Sequence, residues 1–260
     1  MNVLIFSICL FASTIGGICG IGGGVVIKPV IDAMDVMSVS TISFLSGLTV
    51  LSMSVVNMIK QRKSRLVEFR TGSLLAVGAV LGGIAGNSIF QQLKAAAGQD
   101  EMVGMVQAIV LGIITLLTLL YSAVLRKRLP SYQIKDPIAI ILTGLIMGVL
   151  SAFLGIGGGP INLAILFFAF SMDTKKAAAN SLYIIMFSQA GSFLTACMQG
   201  TIPEFEITYL ALMVSAGILG GLIGSQINKR ISAATTDKLF AGLLVIIIGI
   251  CCYNAWRFAL

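Results

Sequence analysis

The segment Gly20-Ile21-Gly22-Gly23-Gly24 recurs as Gly155-Ile156-Gly157-Gly158-Gly159, 135 residues later, and each copy interrupts a long apolar stretch. Glycine in a helix interior costs about 1 kcal/mol relative to alanine, so four in five residues mark a place where a helix must break. In a bilayer, broken backbone persists only where it is buried in protein or lines a polar cavity. Two breaks in corresponding positions of two halves are where the binding site of a membrane carrier is expected.

The rest of the chain requires that bilayer. It is 57% hydrophobic and only 10% charged, with a mean hydropathy of +1.02, whereas a soluble domain would be about a quarter charged. Apolar runs fall at 3–19, 24–34, 39–59, 69–90, 103–125, 137–153, 160–170, 177–198, 206–227 and 238–256. Several approach the ~20 residues a spanning helix needs, and the alternation of a membrane β-barrel is absent. The expected fold is therefore an all-α polytopic membrane protein with the lipid bilayer as its first partner. No basic segment precedes the first run, so a cleaved signal peptide is not expected.

The net charge of +7 does not point to nucleic acid once the charges are located. Lys28, Lys94 and Arg257 aside, every Lys and Arg lies in one of four short segments between apolar runs. The five cysteines (Cys9, Cys19, Cys197, Cys251 and Cys252) lie in apolar runs without metal-ligand spacing, and are expected to be small buried hydrophobes. The chain contains no histidine, which excludes His-based acid–base, triad or zinc-hydrolase chemistry. No enzyme activity, metal or cofactor is expected.

The second five apolar runs echo the first five. Leu81-Gly82-Gly83-Ile84-Ala85-Gly86 matches Leu219-Gly220-Gly221-Leu222-Ile223-Gly224, and Ser43 matches Ser181 at the same offset of 138. Two motifs agreeing on nearly one period indicate an internal duplication. The first repeat spans 1–125, a connector 126–136, and the second repeat 137–260. Lys60, Arg62, Lys63, Arg65 and Arg70, then Arg126, Lys127, Arg128 and Lys135, then Lys175 and Lys176, then Lys229, Arg230 and Lys238 mark four cytoplasmic junctions by the positive-inside rule. The segments with Asp100 and Glu101, and with Glu204 and Glu206, face outside. The basic loop 60–70 thus corresponds to the acidic loop 199–206 on the other side. The repeats are predicted to be inverted, each with three long transmembrane helices and a glycine-motif hairpin, broken or re-entrant, that returns to the side it came from. The first hairpin starts and ends outside, near Met1 and Asp35; the second starts and ends inside, near Asp136 and Lys175. Tyr253 and Trp256 read as an interfacial belt, which puts both termini outside.

A glycine turn opening a helix exposes backbone N–H groups at the positive end of a helix dipole, an anion site. Gly22, Gly23 and Gly24 would face Gly157, Gly158 and Gly159 across one small volume. The leucine–glycine segments at 82–86 and 220–224 are expected to serve close helix packing instead. Lys28 costs about 2.5–3.5 kcal/mol at a helix centre. It either faces the cavity or snorkels outward, with Asp32 a candidate partner one turn on. Polar stripes follow each motif: Ser43, Ser46, Thr49, Ser52, Ser54 and Asn57, then Asn180, Ser181, Ser188, Gln189, Ser192 and Thr195. Neutral donors suit an oxyanion, and Asn180, Ser181 and Gln189 are the preferred candidates. No Asp or Glu is placed clearly at mid-membrane, so no carboxylate relay is expected. An anion leaving a negative-inside cell gains about 2.3 kcal/mol per charge per 100 mV; export could run uncoupled, whereas uptake needs a co-ion.

With Gly20–Gly24 followed by Lys28-Pro29, its echo at Gly155–Gly159 and the two leucine–glycine segments, the chain resembles the TauE/SafE sulfite exporter family, also grouped as toluene sulfonate uptake permeases. The second copy departs from the first: Pro160 follows the glycines directly and Ala164 stands where Pro29 would be. The resemblance implies a permease of the bacterial inner membrane for small sulfur-containing anions such as sulfite or organosulfonates, commonly an exporter. Alternating access around a midplane site is the expected mechanism. An uptake permease and a channel-like anion pore are the alternatives. The oligomeric state stays open, with a homodimer among the expectations.

Overall fold

A computed structural model describes residues 1–61, 66–97, 100–127 and 131–259. Arg62, Lys63, Arg65 and Arg128, which the loop-charge argument uses, lie outside the described residues. Among the described residues there are ten α-helices and no strand: α1 (Asn2–Cys19), α2 (Gly24–Met34), α3 (Val39–Gln61), α4 (Phe69–Ala97), α5 (Asp100–Ala123), α6 (Pro137–Phe153), α7 (Pro160–Phe170), α8 (Thr174–Gln199), α9 (Ile207–Arg230) and α10 (Ala233–Phe258). Each apolar run of the sequence is one helix. Seven of them are long and apolar enough to cross a membrane; α2, α6 and α7 are shorter. The chain is thus a multi-pass membrane protein.

Local chemistry sets the helix ends. Asp136 accepts the Ala139 N–H at 2.9 Å ahead of Pro137, and Asp173 accepts the Lys176 N–H at 3.0 Å. The Ser232 hydroxyl accepts the Thr235 N–H at 3.1 Å. All three are side-chain N-caps. Both short helices stop on a non-glycine residue in the left-handed region, Asp35 (φ 55°) after α2 and Ser171 (φ 52°) after α7.

The helices pack in corresponding pairs. α4 lies along α6 as α9 lies along α1; α4 also packs on α8 as α9 packs on α3, and α5 packs on α10. Glycine makes the first two contacts close. Methyl groups on Gly78, Gly82 and Gly86 would collide with the carbonyl oxygens of Ile141, Leu145 and Val149 in turn. Gly144 and Gly148 stand in the same relation to the Leu75 and Ala79 carbonyls. On the other side Gly220 abuts Ser13 and the Leu10 carbonyl, and Gly224 abuts the Thr14 carbonyl. With no hydrophobic drive between helices in lipid, this backbone-to-backbone approach supplies the van der Waals packing.

The connections show where the broken segments return. Tyr132 and Ile134 donate to the carbonyls of Phe168 and Ala169 at 2.7 and 3.0 Å, and Ser171 bonds the Ser131 hydroxyl at 2.8 Å. The α6–α7 hairpin therefore ends beside its own beginning. At the other end of the bundle, Asp35 at the end of α2 lies 3.5 Å from Arg257 at the end of α10. Tyr253 and Trp256 are exposed near it, with ring centroids 6.2 Å apart. Of the cysteines, Cys9, Cys19 and Cys251 are buried, but Cys197 and Cys252 are exposed, because they fall on the outward faces of α8 and α10; burial of all five was the expectation.

Replacing Gly148 by Leu should strongly destabilise the protein in detergent, because its side chain has only the Ala79 backbone to enter. Gly242→Ala, with nothing within 4 Å of the new methyl, should be neutral or stabilising by up to about 1 kcal/mol. Thermal unfolding followed by size-exclusion chromatography separates the two; equal behaviour would contradict the α4–α6 packing.

Candidate functional site

The two glycine turns meet at the centre of the bundle. Gly20 (φ 80°) ends α1 and donates to the Gly16 carbonyl at 2.8 Å; Gly22 (φ 77°) then turns the chain, and Gly23 caps α2. In the second copy Gly155, Gly157 and Gly158 take φ values of 63°, 68° and 125°, and Gly159 is extended ahead of Pro160. Proline at the first helical position gives up an N–H that has no helical partner anyway, so the departure in sequence does not prevent a turn. These left-handed residues must be glycine.

Each turn fits against the other. A methyl on Gly24 would strike the Ile156 carbonyl, and one on Gly22 would stand 3.3 Å from the Gly157 oxygen and 3.1 Å from Val50 Cγ1. Gly157 abuts Val50 from the other side, and Gly158 abuts Ile185. Val50 of α3 and Ile185 of α8, with Met53 and Leu182, form a small buried cluster of their own. Gly20 and Gly155 reach past this centre, Gly20 against Ala178 near the start of α8 and Gly155 against Ser43 near the start of α3. The hairpins thus overlap tip past tip. Ser43 corresponds in space to Ala178, the offset of the glycine motifs themselves, and not to Ser181.

Unpaired polar groups gather here. A methyl on Gly155 would lie 2.7 Å from Ser43 Oγ, and one on Gly24 2.9 Å from Ser46 Oγ. Both hydroxyls are buried without a hydrogen-bond partner, as are Ser54 Oγ, Ser181 Oγ and Asn162 Oδ1. Asn162, on the first turn of α7 beside Gly158, escaped the sequence reading because it stands alone in an apolar run. The N–H groups of Gly22, Gly23 and Gly24 also lack an acceptor among the described residues, as first-turn amides do.

A cavity of about 280 Å³ opens from this centre toward the 200–206 end of the bundle. Its floor is Gly155, Gly47, Ser43 and Gln189; Ser192, Asn87, Gln91 and Lys94 line its polar wall, and Phe44 and Phe193 an apolar one. Lys94 donates to Ser40 Oγ at 2.7 Å. Asn87, Gln91 and Lys94 follow an i, i+4, i+7 stripe on α4. That spacing is legible in the sequence.

The candidate residues are not all brought together. Gly22, Gly23, Gly24, Gly157, Gly158 and Gly159 are together at the centre but do not line the cavity; Gln189 does, and its Nε2 donates to Ser151 Oγ at 3.2 Å. Ser181 is buried with its hydroxyl unpaired. Asn180 is elsewhere: its Nδ2 donates to the Leu66 and Lys176 carbonyls at 3.2 and 2.8 Å, and its Oδ1 accepts the Glu68 N–H at 3.2 Å. It fastens the α3–α4 connection at the 66–68 end. Lys28 neither lines the cavity nor snorkels. It is 2% exposed and pairs with Asp32 at 2.9 Å. Asp32, 6% exposed, is buried with it, so the pairing one turn on that the sequence allows is formed inside the protein. Hydroxyls of Thr49, Ser52 and Thr195 bond carbonyls of their own helices one turn back.

The 66–68 end is packed where the other end is hollow. Lys175 donates to the Asn228 and Ile231 carbonyls, and Asn228 to that of Ile18. Asn57 fits between Gly17 and Gly221.

A family model described as sulfite exporter TauE/SafE matches residues 5–250. The probable membrane transporter protein YunE of Bacillus subtilis is 22% identical over 274 residues, covering 94% of this chain and 95% of its own length. A probable membrane transporter protein of Xylella fastidiosa is 32% identical over 117 residues, 44% of this chain and 42% of its own. The probable membrane transporter protein MamO of Magnetospirillum gryphiswaldense is 22% identical over 182 residues, 68% of this chain but only 28% of that protein. No solved structure matches.

Gly157→Ala should lose more stability than Gly200→Ala, although both sites have positive φ. Only Gly157 adds a collision, with Val50, whereas Gly200 has nothing within 4 Å. The backbone strain alone is on the order of 1–3 kcal/mol. Adding Val50→Ala should restore part of the Gly157→Ala loss in thermal unfolding; no rescue would contradict the packing of the two turns.

Proposed function

The chain belongs to the sulfite exporter TauE/SafE family, and on that premise we propose that it carries small sulfur-containing anions, such as sulfite or organosulfonates, across the bacterial inner membrane by alternating access. The observation that carries this reading is the convergence at one buried point: two glycine turns, the first with unpaired amides, buried serine hydroxyls without partners, and a cavity that reaches them through Gly155 and Gln189. Donors without a buried countercharge hold an oxyanion through hydrogen bonds and helix dipoles. The volume takes a small sulfonate or a hydrated inorganic oxyanion.

The two hairpins are halves of inverted repeats. The exchange of helix pairs between halves, α4·α6 for α9·α1 and α4·α8 for α9·α3, supports a two-fold relation. The loop charges, basic at 175–176 and 229–230 and acidic at 204–206, support inversion with both termini outside. In that orientation the cavity opens outward, and the packed 66–68 end is the closed inner gate. The inward-facing state opens the equivalent space beside Gly20 and Ala178 while Gly155 and Ser43 close over the anion. Gly22–Gly24, Gly157–Gly159, Ser181 and Gln189 bind it in between, Asn180 acts as a gate latch, and Lys28 acts from one turn away. Export is the proposed direction, in keeping with the family's description.

Counterflow in proteoliposomes with sulfite, methanesulfonate, thiosulfate and acetate tests this. Saturable exchange of the sulfur anions, with acetate exchanged at least tenfold more slowly, is expected. Gly47→Val, whose new methyls meet the Gln189 carboxamide (Oε1 2.7 Å from a Cβ there), should reduce exchange at least tenfold with the protein still folded. Flux that rises linearly with concentration would indicate a pore instead.

A further inference from the structure

A second buried polar cluster lies between α2, α5 and α10, outside the cavity. Lys28 Nζ donates to Asp32 Oδ2 at 2.9 Å. Two amides flank the pair, each turned by a backbone carbonyl. Gln107 Nε2 donates to the Phe153 carbonyl at 2.6 Å, at the broken end of α6. Asn254 Nδ2 donates to the Pro29 carbonyl at 2.8 Å. These bonds fix which way round each amide lies. The oxygens left over, Gln107 Oε1 and Asn254 Oδ1, have no partner, and neither does Asp32 Oδ1. Lys28, Asp32, Gln107 and Asn254 together line a crevice of about 10 Å³, the size of one water molecule.

Three unpaired acceptors on residues that line one water-sized space call for an occupant that brings hydrogens. An anion does not fit that donor set, and the Lys28 ammonium opposes a metal cation. A water molecule satisfies it, and a carboxylate in contact with water can exchange a proton. We propose that Asp32 is a proton-carrying site, loaded through this crevice, that couples the movement of one proton to that of one monovalent anion at the glycine turns. The inference rests on the anion-carrier reading of those turns.

Charge supplies the coupling. Lys28 and Asp32 are the buried charged residues among those described. With Asp32 ionised, the pair is neutral and an anion at the α2 N-terminus meets little net charge. When one proton from water joins the Asp32 carboxylate, Lys28 keeps its own protons and the pair becomes +1. Lys28 is four residues, about 6 Å of rise, from Gly24. A monovalent anion there restores neutrality, so proton and anion each favour the other's binding by the same factor. The loaded carrier crosses with no net charge and the membrane potential drops out of the driving force. Direction then follows the substrate gradient and the pH difference, in place of the uncoupled export open to a chain without a buried acid.

Few other charged or titratable groups face Asp32. Its own helix adds Asp35, exposed one turn on, and α10 adds Arg257, paired with Asp35, and the Cys251 thiol in the crevice wall. Gln107 from α5 does not ionise, α1 has no charged residue, and the lysine of α3, Lys60, is at its far end.

The experiment uses the wild-type chain in proteoliposomes with methanesulfonate, whose acid group stays ionised throughout, so any proton moved is the protein's. An enclosed pH dye and a potential dye report during anion flux. The expected result is one proton per anion and no net current. Anion flux with a current of one charge per anion and no proton overturns the coupling alone. Absence of any saturable anion flux overturns the carrier reading and the coupling with it. Asp32→Asn, which holds the pair at +1, should drop the ratio from one proton per anion to zero and make any remaining flux electrogenic. Should it not fold, the double change Lys28→Met with Asp32→Leu replaces the pair by apolar residues of similar volume and should also abolish proton movement. A ratio of one in either variant overturns the assignment.

Discussion

Backbone pressed on backbone at Gly22–Gly157 and Gly24–Ile156 is the contact on which the rest of this molecule depends. A methyl on Gly24 would collide with the Ile156 carbonyl and push the two hairpins apart, and one on Gly22 would crowd the Gly157 oxygen at 3.3 Å. Because neither turn has side chains to separate them, two helix N-termini, which in lipid would be too costly to leave bare, are buried in protein and share one small volume. The same device repeats along α4–α6 and α1–α9, where glycine lets a long helix lie directly on the outer arm of each hairpin and hold its depth. The central turns and the zippers beside them are therefore one construction.

That construction was largely visible in the sequence, for a physical reason. Runs of apolar residues must be helices in a bilayer, since nothing else satisfies their backbone, and the ten runs became the ten helices. Glycine repeated at one spacing marked both the breaks and the close crossings. Side chains were harder to place. Asn180 looked like an anion ligand because it sits on a polar stripe, yet it lies within two turns of the start of α8, where a loop carbonyl and N–H compete for it. Sequence leaves Lys28 between the cavity and the outer surface, with Asp32 a partner one turn on; the burial of both comes from α5 and α10 closing over them, a tertiary fact that spacing along one helix does not hold. Asn162, Gln107 and Asn254 are single polar residues in apolar runs. Gln107 and Asn254 answer carbonyls far away in the chain, Phe153 at the break after α6 and Pro29 within α2.

Backbone carbonyls sort the polar groups of the interior. Gln107 serves the end of α6 and Asn254 serves α2 at Pro29; Thr49, Ser52 and Thr195 close on their own helices. Ser43, Ser46 and Ser181 are left with hydroxyls and no task in the empty protein. Buried donors without partners cost free energy in the absence of ligand, and they are retained where a ligand repays that cost. The proposed carrier, with its two gates, requires of one of its states a hollow at one end of the bundle and tight packing at the other, and the bundle has both.

The most direct test of the central claim is the side from which each hairpin is reached. In a background with all five cysteines replaced, Ser38→Cys reports the end of the first hairpin and Ser131→Cys the beginning of the second, both exposed positions. A membrane-impermeant maleimide added to intact spheroplasts should label Ser38→Cys and leave Ser131→Cys unmodified until the membrane is opened. Labelling of both from the outside, or of neither, would mean that the hairpins do not come from opposite faces, and the shared site between them could not stand.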